Sequence, residues 1–380
     1  MRIVLFSVLF VFFPCMAWSA SPVEEAFFKK LHLRLMSRTF PSFHATWLPN
    51  QDFNEFEVHE SVLGLDAGWS HFLGVSLRVE ILRSAQPQSL FGIDGDSYIM
   101  RLQRAWGYGR YFLWIGWIEG RFGLIPDPWL DAVRPHYRMR GLRALLSESG
   151  DFFEQSDLGA SVHFRAWKGA LSVAFALTNG EGLNRAEQNT GKNSTVVLSL
   201  LPLRFLKHQP RLWGETVEVG LHATYRDGSI GISSASNHRI AAALTLTSRF
   251  VDIGIEYIYA MGWAQIADRN ADGISAWLRA AFATRWIGAF CRYDRQNTNT
   301  ALPDATRQRI SVGLYSDLLD AHLLEGTQRF RLYLAYQYET QDKNTMPLPG
   351  IPLLAQAHRV MVLLSIYLDA RFQQQPLPHS

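Results

Sequence analysis

The chain has 380 residues, 48% apolar and 19% charged, which is enough for one large barrel or two soluble domains; its net charge of +3 gives no reason to expect a nucleic-acid partner. Two cysteines so far apart as Cys15 and Cys291 exclude a disulfide framework and a cysteine-built metal centre. Beyond residue 20 no run of about 18 apolar residues could cross a bilayer as a helix, yet 12 Trp and 13% aromatic residues exceed what a soluble core needs and suit aromatic belts at two membrane interfaces.

Residues 1–20 read as a signal peptide: Arg2 supplies the positive start, 3–13 an apolar run too short to span, and Ala17-Trp18-Ser19-Ala20 small residues for cleavage. Cys15 is expected to leave with it. From residue 27 the chain alternates with period two. Leu73, Val75, Leu77, Val79 and Ile81 oppose Ser76, Arg78 and Glu80; Val251, Ile253, Ile255, Tyr257 and Tyr259 oppose Asp252, Gly254 and Glu256. Such alternation predicts strands with one apolar and one polar face.

Sixteen runs are predicted, at 27–40, 55–67, 71–83, 97–106, 110–121, 157–167, 169–178, 194–205, 213–226, 238–248, 250–262, 273–284, 286–296, 306–318, 329–340 and 356–372. Short turns fall at 68–70, Gly107-Tyr108-Gly109, Lys168, Arg249 and Arg285, with longer links at 206–212 and 319–328. At the other end, long connections rich in Asp, Asn, Gly, Pro, Ser and Thr fall at 41–54, 84–96, 122–156, 179–193, 227–237, 263–272, 297–305 and 341–355. Lys is scarce on the polar face, where Arg, Gly, Ala and Ser prevail, and the apolar face is almost free of charge. This favours a closed transmembrane β-barrel over a soluble sandwich, because lipid leaves no sheet edge unpaired. One barrel domain over 21–372 is expected, with a tail over 373–380 and the last strand paired to the first.

The segment 122–156 is the longest interruption. It carries Arg134, Arg138, Arg140 and Arg143 against Asp127, Asp131, Glu148, Asp151 and Glu154, with Arg121 just before it. A loop this long inside a compact domain is usually functional. It is predicted to fold into the lumen, with a short helix over 139–148 and Arg134, Arg138 and Arg140 lining a constriction opposite Asp127, Asp131 or Glu148; closure over the mouth is the alternative.

Parity places Lys30, Arg34, Arg38, Arg78, Arg101, Arg121, Arg165, Arg226, Arg239, Arg279, Arg292, Arg307, Arg309, Arg329, Arg331, Arg359 and Arg371 on the inner wall. The inward acids are Glu80, Glu119, Glu218, Asp252, Glu256, Asp294, Glu339 and Asp369. Cations lead about two to one, and such a wall attracts anions. The plain alternative is that many of these arginines pair with carboxylates.

Gly120-Arg121-Phe122 with Pro126, Ser156-Asp157-Leu158-Gly159, and Asn179-Gly180-Glu181-Gly182 resemble the phosphate-selective porins and their relatives, over 120–182. The resemblance implies a sixteen-stranded, homotrimeric outer-membrane porin for small anions, with a lipid bilayer and lipopolysaccharide around it; the loop departs from the family in having no lysine. The expected function is passive diffusion of small anions such as phosphate or carboxylates, with no cofactor, no metal and no catalysis. The alternatives are a sugar or organic-acid channel using inner aromatics Trp277 and Tyr333, a plugged structural barrel, and a hydrolase built on Ser161 with His163 or on His222 with Glu218. Asp268, Asn270, Asp272 and Gly273 loosely match a calcium loop but are better read as a hairpin turn.

Overall fold

A computed structural model describes residues 31–48, 51–69, 72–84, 97–180, 182, 191–206, 208–212, 214–230, 235–266, 269–282, 286–323, 326–345 and 356–373. The expected signal peptide, Lys30, Asp268 and the tail beyond 373 lie outside them. Sixteen strands form one closed antiparallel barrel. They are β1 (Leu31–Leu48), β2 (Gln51–Trp69), β3 (Leu73–Ser84), β4 (Ser97–Leu113), β5 (Gly116–Pro126), β6 (Ser156–Ala166), β7 (Leu171–Thr178) and β8 (Asn193–Leu200). Then come β9 (Glu218–Asp227), β10 (Arg239–Thr247), β11 (Val251–Met261), β12 (Asn270–Ala281), β13 (Ile287–Asn297), β14 (Thr306–Leu323), β15 (Gly326–Gln341) and β16 (Gln356–Gln373). β16 closes on β1, from His32 opposite Gln373 to Trp47 opposite His358.

The strand count and the closing pair agree with the sequence reading; several boundaries do not. The expected loop 41–54 is mostly strand, since β1 and β2 run to Leu48 and from Gln51. Pro41 sits where the β1–β2 register shifts, a position that tolerates a missing N–H, so the strand runs through it. Gly107-Tyr108-Gly109 is no turn but lies within β4, whose chain reverses after Leu113. The link 319–328 shrinks because β14 reaches Leu323 and β15 begins at Gly326. Pro202 ends β8 early and opens a 3-10 turn, Pro202–Phe205.

Register shifts explain where alternation fails. Thr39 faces Ser61 and Pro41 faces Val58, so His59 and Glu60 together stand across from Phe40. Both then point inward: His59 reaches Ser42 and Glu60 reaches Arg38. In β4, Arg78 faces Arg104 while Val79 faces Leu102, leaving Gln103 as the extra residue. Gln103 bonds Glu80, and beyond it the inward set becomes Arg104, Trp106, Tyr108 and Arg110. Gly74 accommodates the Tyr108 ring, which a Cβ there would overlap.

The outer face carries exposed Leu35, Leu63, Val75, Val162, Leu198, Ile240, Ile253, Val312 and Leu334. Exposed Trp69, Phe72, Phe112, Trp114, Trp167, Phe205 and Trp286 ring the short-turn end, and Trp47, Phe56, Tyr98, Tyr225, Tyr257 and Tyr336 the other. Two girdles flanking an apolar band are what a bilayer requires of a barrel. Cys291 lies on this face, exposed.

Candidate pore constriction

The β5–β6 connection, 127–155, enters the lumen; five residues at its start and one at its end belong to β5 and β6 rather than to the expected loop 122–156. Its first helix, α1 (Pro128–Val133), was legible in principle. Pro128 occupies the first turn and the Asp127 carboxylate accepts from the N–H groups of Trp129 at 2.9 Å and Leu130 at 3.3 Å. The helix expected over 139–148 is absent. Residues 138–142 turn, and only α2 (Leu146–Ser149) is helical.

The loop turns its apolar side to the wall. Trp129, Leu130, Val133, Tyr137, Met139, Leu145, Leu146, Phe152 and Phe153 are buried in one cluster with inward Ala174, Ala241, Ala243, Ala260, Ala271, Trp277, Tyr333 and Leu363. Each large side chain so covered contributes about 2 kcal/mol. The wall alanines thus mark the docking surface. Trp277 and Tyr333, the inner aromatics of the alternative sugar or organic-acid channel, lie beneath the loop: Trp277 packs edge-on against Tyr137, and the Tyr333 hydroxyl is 3.4 Å from the Arg138 carbonyl. The loop's apolar side chains needed a partner surface, and these rings are part of it.

Groups of the wall, and Trp263 in the turn after β11, also tie down the loop's backbone. Glu256 accepts from the Leu146 N–H at 2.8 Å and the Ser147 N–H at 3.3 Å, capping α2. Trp263 Nε1 and Gln296 Nε2 donate to the Gly150 carbonyl at 2.9 and 2.8 Å. Arg292 donates to the Ala144 carbonyl at 2.8 Å and to the Tyr137 hydroxyl.

The loop's other edge meets β1, β2, β4 and β5. Glu148 receives Arg134 at 3.0 Å and Arg140 at 2.6 Å; Arg140 also reaches Glu60 at 3.2 Å, and Glu60 pairs with Arg38. Alongside, Arg121 bridges Asp131 and Glu119, each at 2.8 Å. Arg104 lies close to Arg134, Asp131, Arg140 and Arg38; its Nε has no hydrogen-bond partner among the described residues. Burial opposes charge on Glu148 and Asp131. Arg134 and Arg140 outweigh it for Glu148, as Arg121 does for Asp131, holding both carboxyls well below the usual range.

Of the expected constriction residues, Arg121, Asp131, Arg134, Arg140 and Glu148 therefore converge. Asp127 does not: it pairs with Arg226, which lies over the Phe153 ring, and serves as cap and anchor. Arg138 points instead to the Ser248 carbonyl at 2.9 Å and Asp252 at 3.5 Å. Arg143 is turned to Ser149 Oγ at 3.3 Å. The sequence reading missed Glu60, Arg104 and Arg110; the inward placement of the two arginines depends on the extra residue in β4.

Around the wall, carboxylates hold most of the expected arginines. Arg279 pairs with Asp252, Arg307 and Arg309 with Glu339 at 3.2 Å and 2.8 Å, and Arg331 with Asp317 at 3.0 Å. Arg165 stacks on Trp117, Arg359 donates to Thr46 Oγ1 at 3.1 Å, and Arg329 lies on the inner face of β15 near Arg138. Glu55, Glu57, Glu60, Asp66 and Asp317 join the inward acids, so the cationic excess is smaller than parity predicted. Ser161 Oγ lies 2.9 Å from His163 Nε2, but no carboxylate bonds the other ring nitrogen among the described residues. Glu218 binds Arg204 at 2.7 Å, not His222, which faces Ser199 and Thr245. Asn270, Asp272 and Gly273 lie in β12, paired with Met261, Tyr259 and Ile258, not in a loop.

No family model and no curated protein matches this sequence. Solved structures do. An anion-selective porin from Comamonas acidovorans superposes with a TM-score of 0.55 at 10% identity, over 90% of this chain and 100% of that one. OmpT, an outer-membrane protein of Vibrio cholerae, gives 0.53 at 11% identity over 89% and 97%. OpdK of Pseudomonas aeruginosa, solved with vanillate, gives 0.50 at 10% identity over 90% and 100%. At these identities the likeness is one of architecture: the chain has the fold of the outer-membrane porin barrels.

Proposed function

We propose that this protein is a bacterial outer-membrane porin, a passive channel for small hydrophilic solutes that favours anions such as phosphate or carboxylates. The observation that carries the reading is the charged edge of the inward loop. Arg134, Arg140, Arg121 and Arg110 stand with Arg38 and Arg104 around Glu60, Glu119, Asp131 and Glu148, so six guanidiniums face four carboxylates where the loop meets the β1–β5 wall. An excess of fixed positive charge in a narrow, partly desolvated passage lowers the energy of an anion and raises that of a cation. Arginine also offers a planar fork to carboxylate or phosphate.

In this reading the loop anchors fix the passage width, and the paired wall arginines keep the lumen hydrated. No bond is made or broken, and no catalytic role is assigned to Ser161, His163 or His222. The signal peptide, the homotrimer and the lipopolysaccharide surroundings belong to the same proposal, the short-turn end facing the periplasm. Liposome swelling tests it. Small carboxylates should enter faster than neutral sugars or cationic amines of equal size. Equal rates for all three would remove the anion preference, and no swelling at all would favour a plugged barrel.

A further inference from the structure

Near the loop end of the lumen, β1 and β2 assemble a second cluster that the channel reading leaves unused. His44 stands directly opposite Glu55, and Ser42 opposite Glu57. Glu55, Glu57 and His59 alternate on the inner face of β2, while Phe56 between them is 82% exposed on the outside. His44 Nε2 is 3.0 Å from Glu55 Oε1, and its Nδ1 is 3.9 Å from Glu57 Oε2. His59 Nδ1 lies 3.3 Å from the same Glu57 oxygen, and its Nε2 lies 3.0 Å from Ser42 Oγ. One ligand atom from each of His44, Glu55 and Glu57 falls within 4.8 Å of the others.

We propose that His44, Glu55 and Glu57 bind a divalent transition-metal ion of the Zn2+ class on the lumen wall, with His59 positioning Glu57. One imidazole and two carboxylates form a borderline-hard N/O set, and Zn2+ takes such donors at about 2.0–2.2 Å. A shared centre then needs donors roughly 3.5 Å apart. The glutamate ends can close the remaining distance by rotation about their side-chain torsions. Ligating carboxylates are themselves held by hydrogen-bonding groups in such centres, and His59 Nδ1 stands 3.3 Å from Glu57 to serve as one. Too few oxygens converge for Ca2+, which takes six to eight. Burial and access are divided as an entry path requires: the His44 side chain is 1% exposed, while those of Glu55 and Glu57 keep 33% and 24%.

The charge balance supplies an opposing partner. Arg359, on β16, donates to Thr46 Oγ1 and lies near His44 and His59. Two carboxylates against one guanidinium leave the site negative by about one charge, enough to favour a divalent ion while Arg359 weakens it.

The test is calorimetric titration of the refolded full chain in detergent micelles with ZnCl2, with Co2+ absorbance as a second signal. Heat-modifiable gel mobility verifies folding of each variant. One equivalent of Zn2+ bound in the micromolar range should disappear in His44→Gln and weaken tenfold or more in Glu55→Gln. Arg359→Gln should tighten it severalfold, the opposite sign to a general loss of structure. A wild-type isotherm identical to that of folded His44→Gln overturns the proposal. So does an affinity that Arg359→Gln leaves unchanged, or equal competition by Ca2+.

Discussion

Glu148 and Arg140 form one ion pair, so deleting either charge breaks that shared contact but shifts the constriction charge in opposite directions. Glu148→Gln preserves shape and leaves Arg134 and Arg140 uncompensated except by Glu60; Arg140→Gln leaves Glu148 with Arg134 alone. A unit charge roughly 8 Å from an ion's path is worth about 0.5 kcal/mol in water, and about half that after screening in 0.1 M salt. Anion and cation feel it with opposite sign, so their permeability ratio changes by about exp(0.5/0.6), or roughly twofold. In 0.01 M salt, where screening nearly vanishes over this distance, the change grows to about fourfold. The assay is the reversal potential of single channels in a planar bilayer under a KCl gradient. Glu148→Gln should shift it toward anions and Arg140→Gln toward cations, both more strongly in dilute salt. A shift of the same sign in both variants would mean that loop displacement, not charge, sets selectivity, and would refute the reasoning.

Lowering the pH should leave the Glu148 contribution intact. Its carboxyl is held below the usual range, so the charge is lost only as pH falls through that depressed value; the reversal-potential difference between Glu148→Gln and wild type should be the same at pH 7 and at about pH 4, where an ordinary glutamate is mostly protonated. Shrinkage of that difference at pH 4 would show that Arg134 and Arg140 do not hold the charge. Trp129→Ala should loosen the loop by about 3–5 kcal/mol while leaving the barrel ladder untouched. Noisy, larger conductance with unchanged heat-modifiable mobility is the expected record, and quiet wild-type conductance would contradict the docking. Gly74→Ala should instead perturb the barrel, because the new Cβ overlaps the Tyr108 ring, costing about 1–3 kcal/mol, seen as a lower unfolding midpoint in urea with unaltered reversal potential.

The barrel was legible because lipid outside and water inside force period two on nearly every strand, as in Val251–Met261, whose exposed Ile253, Ile255 and Tyr257 alternate with buried Asp252, Gly254 and Glu256. That the longest interruption enters the lumen was legible from its length and charge. Its partners were not. Asp127 and Glu148 are both acids in one loop, yet one caps a helix against Arg226 while the other joins Arg134 and Arg140, and only the three-dimensional path of the chain separates them. Parity also fails wherever a strand carries an extra residue. Gln103 shifts the phase of everything after it in β4, which hid Arg104 and Arg110, and the paired inward turn of His59 and Glu60 made β2 look poorly patterned. Trp277 and Tyr333 were correctly placed inward, but inward is not the same as accessible once a loop of 29 residues, 127–155, occupies the lumen.

The most direct test of the central claim is the zero-current potential of the wild-type channel across a planar bilayer in a tenfold KCl gradient at neutral pH. The account predicts a potential of the sign set by chloride permeating faster than potassium, growing as both salt concentrations are lowered. A potential of the opposite sign, or none at low salt, would contradict it.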